Sequence, residues 1–97
     1  MDLRLKDKVV LVTGSSRGIG LATARAFAAE GCRLVLSARS TAALAETETE
    51  LRAGGTQVVA HAADVAQPEG AASVVQAAVA AFGGIDILVN NVGGGGG

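Results

Sequence analysis

The stretch Thr13-Gly14-Ser15-Ser16-Arg17-Gly18-Ile19-Gly20 has the residue types and spacing best suited to chemistry. It follows the apolar run Val9-Val10-Leu11-Val12 and opens an Ala-rich helical pattern from Ile19 onward. Glycines at 14, 18 and 20 allow a tight strand-to-helix turn with no Cβ in the way. They also leave the first helical amides uncovered, where those amides and the helix dipole can hold a phosphate. Strand, glycine turn and helix in that order point to a dinucleotide site, although such turns also use glycine for geometry alone. Two cations frame the turn: Arg17 lies inside it, and Arg39 stands just past a second apolar run, in Ser37-Ala38-Arg39-Ser40. A site for a free ribose 2′-hydroxyl usually carries an acid at that second strand end. Ala38 occupies the place here, and two guanidiniums could grip a 2′-phosphate with paired hydrogen bonds.

Further along, Asp64-Val65 follows a third apolar run, and Asp86-Ile87-Leu88-Val89-Asn90-Asn91-Val92-Gly93 ends a fourth. On residue type alone, Asp64 is an ordinary turn former. His61 has no second ligand of metal type nearby, and Cys32 has no paired histidine, so both are read as packing residues. Glu46, Glu48 and Glu50 form a solvated helix face, and no spacing suits zinc or calcium, so no metal is expected.

The Gly-x-x-x-Gly-x-Gly turn after Thr13, the Asp64-Val65 pair and the Asn90-Asn91-Val92-Gly93 strand end together resemble the short-chain dehydrogenase/reductase family. Val92 stands where that family usually has alanine. The resemblance implies cofactor contacts from Gly14, Ser15, Ser16, Arg17, Gly18, Ile19, Gly20, Arg39, Asp64, Val65, Asn91, Val92 and Gly93. Within that set Asp64 would accept from the adenine amino group and the Val65 amide would donate to the ring. Asn91 is the expected ribose neighbour, Asn90 the sheet-holding asparagine, and Thr13 the residue that ties the turn to a neighbouring strand. Arg17 and Arg39 match the branch that uses NADP(H), with NAD the lesser expectation. The implied reaction moves hydride between the nicotinamide and a small alcohol or carbonyl substrate. The family's tyrosine acid/base, its lysine four residues on and its serine lie downstream of the asparagine motif, and the chain contains no tyrosine. It is therefore expected to be the cofactor-binding N-terminal part of an oxidoreductase, inactive alone, whose full-length parent forms a homodimer or homotetramer. A non-catalytic dinucleotide-binding module is the alternative. An S-adenosylmethionine methyltransferase is disfavoured by Arg39 and by the Asn90-Asn91 strand end.

Such residues need a scaffold that brings strand ends together. Val9–Val12, Leu34–Leu36, Gln57–Ala60 and Ile87–Val89 read as short strands, continuous in apolar character as a sheet covered on both faces requires. Helices are predicted from about Gly18 to Glu30, with Gly31 as the stop, from Thr41 to Ala53, and from Pro68 to the Gly83-Gly84 pair. Ile19, Ala22, Ala26 and Phe27 are predicted on one face of the first, Leu44 and Leu51 inward on the second, and Val74, Val75, Ala78, Val79 and Phe82 on the third. The expected class is α/β, a three-layer Rossmann-like parallel sheet with helices on both faces, in order 3-2-1-4. Residues 1–97 read as the N-terminal part of a single NAD(P)-binding domain, with 93–97 a glycine-rich loop cut mid-way and strand 4 a bare edge.

Composition agrees with this reading and narrows the partners. Hydrophobic residues make up 49% and aromatics 2%, which suits buried strands under closely approaching helices. A net charge of −1 with no basic cluster argues against nucleic acid. No apolar run reaches the length of a membrane span, and Met1-Asp2-Leu3-Arg4 lacks a signal peptide's apolar stretch. A single cysteine cannot form an internal disulfide, which fits the cytoplasm as the expected location.

Overall fold

The computed structural model describes residues 5–91. Four strands alternate with three helices: β1 Val9–Thr13, α1 Gly18–Ala29, β2 Arg33–Ala38, α2 Thr41–Ala53, β3 Val58–Ala62, α3 Pro68–Phe82 and β4 Ile87–Val89. The sheet is parallel throughout, in order β3-β2-β1-β4. Parallel pairing puts every strand's carboxyl end on one side of the molecule. Thr13 aligns there with Ser37, and Ser37 with His61.

Successive strand residues point to opposite faces, so the apolar runs feed two cores. Val10, Val12, Leu34 and Leu36 pack under α1 and α2 with Ala24, Leu44 and Leu51. Val9, Leu11 and Val35 pack on the other face with Val74 and Ala78 of α3. β1 and most of β2 are thus buried on both sides, which explains why their sequence shows no alternation. The termini of the helices follow local chemistry. The Ser40 hydroxyl accepts from the Ala43 amide at the start of α2, and Pro68 opens α3 where its missing N–H is harmless. Gly31, at φ 81°, and Gly83, at φ 84°, turn the chain after α1 and α3 in the left-handed region.

Two helix faces differ from the sequence expectation. In α1 the inward residues are Gly20 and Ala24, with Phe27 and Ala28 half-buried, whereas Ile19, Ala22 and Ala26 face outward. Gly20 decides this, because only a residue without a Cβ fits against the turn beneath it. In α3, Val74 and Ala78 are buried and Phe82 is half-buried, while Val75 and Val79 are about half exposed, at 45% and 51%. α3 lies over β2 and β3, so its apolar character extends beyond the stripe that the sheet can cover. Leu44 and Leu51 are buried as expected. No helix among the described residues is long and apolar enough to cross a membrane.

Candidate functional site

The sequence-marked residues come together at the carboxyl ends of the strands. The β1–α1 turn is built around Gly14 at φ 62° and Gly18 at φ 61°, backbone conformations in which a side chain is strained. At Gly20 a Cβ would lie 1.9 Å from the Gly14 carbonyl oxygen, so the first turn of α1 sits directly on the loop. A Cβ on Gly14 would meet Asn91 at 3.4–3.5 Å, which places the end of β4 alongside.

Thr13 ties those two strand ends together. Its hydroxyl oxygen accepts from the Asn91 amide at 2.9 Å and lies 3.1 Å from Asn90 Oδ1 as donor. The Asn91 side-chain amide donates to the Thr13 carbonyl at 3.3 Å. The tie expected of Asn90 is therefore shared by Asn91. At the opposite end of the strands, the Val9 amide donates to Asp86 Oδ2 and the Asp86 amide to the Val9 carbonyl, both at 2.8 Å. Sequence reading overlooked Asp86 as a clamp, and it gave Ser15 as a cofactor contact where the structure buries that side chain against β2. The Ser15 hydroxyl is completely buried and is engaged by the backbone of Ser37.

The electrostatics of the turn suit an anion. No side chain caps α1, its first turn contains no acid, and Arg17 stands at the cap position in extended backbone. The uncovered amides give this helix end its partial positive charge. Arg17 and Arg39 are both exposed, and neither side chain makes an ion pair or hydrogen bond among the described residues. Arg25 and Arg52, in contrast, are bound to Glu50 and Glu48. Ser16 is half-buried, and Ile19 is 77% exposed at the mouth of the turn.

Asp64 is exposed after β3, and its Oδ1 accepts from the Ala66 amide at 3.0 Å, so it does shape its own turn. Val65 is half-buried against the α3 core. Val92 and Gly93 lie outside the described residues. His61 Nε2 meets the Ser73 hydroxyl at 3.1 Å; that hydroxyl donates to the Gly70 carbonyl, so the ring nitrogen is the donor. Cys32 is buried, its thiol directed at the Leu5 carbonyl, and burial pushes its pKa up, with Glu30 nearby adding to the shift. Among the described residues no group of histidine, cysteine and carboxylate side chains could hold a metal ion.

Residues 8–97 match the family described as short chain dehydrogenase. The chain belongs to this family. An uncharacterized oxidoreductase of Mycobacterium tuberculosis is 45% identical over 91 residues, covering 94% of this chain and 35% of the relative. L-sorbose reductase from Gluconobacter frateurii, solved with NADPH and L-sorbose, superposes with a TM-score of 0.93 at 49% identity, over 96% of this chain and 36% of that one. A short-chain dehydrogenase/reductase from Burkholderia phymatum in complex with NAD gives a TM-score of 0.85 at 36% identity, covering 87% and 30%. This short-chain dehydrogenase chain thus spans about a third of the length of the relatives it matches.

Proposed function

We propose that residues 1–97 are the N-terminal part of one NAD(P)-binding domain in an NADP(H)-dependent oxidoreductase acting on an alcohol or carbonyl. The observation that carries this reading is the pair of exposed guanidiniums, Arg17 and Arg39, without a partner among the described residues, flanking an uncapped helix end with no acid at the close of β2. In this reading the amides of Ser16 to Gly20 hold the pyrophosphate, and Arg17 and Arg39 grip the 2′-phosphate. Asp64 and the Val65 amide receive the adenine edge, and the segment from Asn91 through Val92 and Gly93 lies along the ribose, with the glycine run to Gly97 continuing the loop. Bound there, the nicotinamide would supply or accept hydride. This chain's residues fix where the cofactor lies; the proton donor and the substrate pocket belong to residues outside these 97, in a parent that assembles as a dimer or tetramer in the cytoplasm. The NADPH complex of L-sorbose reductase supports this cofactor, and the NAD complex of the Burkholderia relative marks NAD as the competitor.

Titration of the full-length protein with NADPH and NADH tests the assignment. NADPH should bind more tightly, and Arg39→Asp should weaken its binding by about 2–3 kcal/mol with little change for NADH. An unchanged ratio of the two affinities would remove Arg39 from the site.

A further inference from the structure

Ser15 is wholly buried, yet it makes three polar contacts with one residue 22 positions away. Its amide donates to the Ser37 carbonyl at 3.2 Å, its hydroxyl donates to the same oxygen at 3.3 Å, and it accepts from the Ser37 amide at 3.1 Å. We propose that Ser15 is a positioning residue for cofactor discrimination, a staple that fixes the glycine turn against the end of β2 and so sets Arg17 and Arg39 in register. This inference rests on the NADP(H) reading above.

The argument follows from chain distances. Arg17 is two residues past Ser15, and Arg39 is two residues past Ser37, so the staple lies at the root of both arms. Both arms are exposed and have no partner of their own among the described residues. Their separation is therefore set by the backbones they leave, which Ser15 joins. The Ala63 amide donates to the Ala38 carbonyl at 3.1 Å and extends the same connection to the loop carrying Asp64. A group held by both guanidiniums feels the staple; a pyrophosphate held by the α1 amides alone does not. Ser37 offers an internal control, because its own hydroxyl is buried with no hydrogen-bond partner among the described residues and takes no part in the staple.

The test compares NADPH and NADH affinities of the full-length protein with those of its Ser15→Ala and Ser37→Ala variants. Ser15→Ala should weaken NADPH by about three- to tenfold, the loss of roughly one net hydrogen bond, while NADH changes less than about twofold. Ser37→Ala should leave the ratio as it is. Equal losses for both cofactors in Ser15→Ala, or no loss, would overturn the staple's role in discrimination. A wild-type protein that binds both cofactors alike would overturn the NADP(H) reading itself, and this inference with it. Ser15→Cys, which keeps the shape and weakens both hydroxyl bonds, gives the same comparison where Ser15→Ala does not fold.

Discussion

Two of the strand-to-helix turns are built on the same geometric device. In β1–α1 the third helical residue, Gly20, sits against the carbonyl of Gly14; in β3–α3 the third helical residue, Gly70, sits against the carbonyl of Asp64. An added Cβ would lie 1.9 Å from the oxygen in the first and 2.0 Å in the second. The charges around them differ. The first turn of α1 has no acid and has Arg17 at its cap, whereas α3 begins with Pro68, which has no N–H, followed by Glu69, and Asp64 already occupies the Ala66 amide. Glycine at this spacing therefore reports close packing in both turns. Only the turn with free amides and no carboxylate is suited to an anion.

Substitution separates the two roles. Gly20→Ala should have the largest effect, destabilising the protein by about 3 kcal/mol or more through the clash with backbone, and it should also remove dinucleotide binding. Gly70→Ala should cost a similar amount of stability by the same mechanism, but the folded fraction should lose only the part of its affinity that Asp64 and Val65 lend at the adenine. Urea unfolding together with NADPH titration of both variants measures this. A Gly70→Ala protein that folds but cannot bind at all would mean that the second turn holds as much of the cofactor as the first.

A smaller effect is expected at the opposite end of the sheet, away from both turns. Because burial raises the Cys32 pKa in the fold, its contribution is complete below the ordinary thiol pKa and is lost as pH rises through the raised value. The folded protein should resist alkylation at neutral pH, and Cys32→Ala should flatten the alkaline fall in stability. Rapid alkylation without unfolding would show that the thiol is accessible.

The sequence revealed strands more clearly than helix faces. β1 and β2 are buried on both sides, so their unbroken apolar runs are direct evidence of a covered parallel sheet. α1 and α3 are rich in alanine, which marks no face strongly, and their orientation depends on which small residue can approach the sheet. Gly20 settles that contact in α1, and a periodicity count gave the place to Ile19 instead. The glycine turn and the role of Thr13 were legible because their chemistry is local or lies at a strand end. The Ser15 staple was not, since its partner is a backbone 22 residues away that is reached only when β1 and β2 pair.

Hydrogen exchange of the full-length protein, with and without NADPH, tests the contrast between the turns most directly. The account predicts that NADPH slows exchange at the amides of Ser16 to Gly20 and leaves Glu69 and Gly70 unchanged. Equal protection of both helix starts, or no protection at the first, would contradict it.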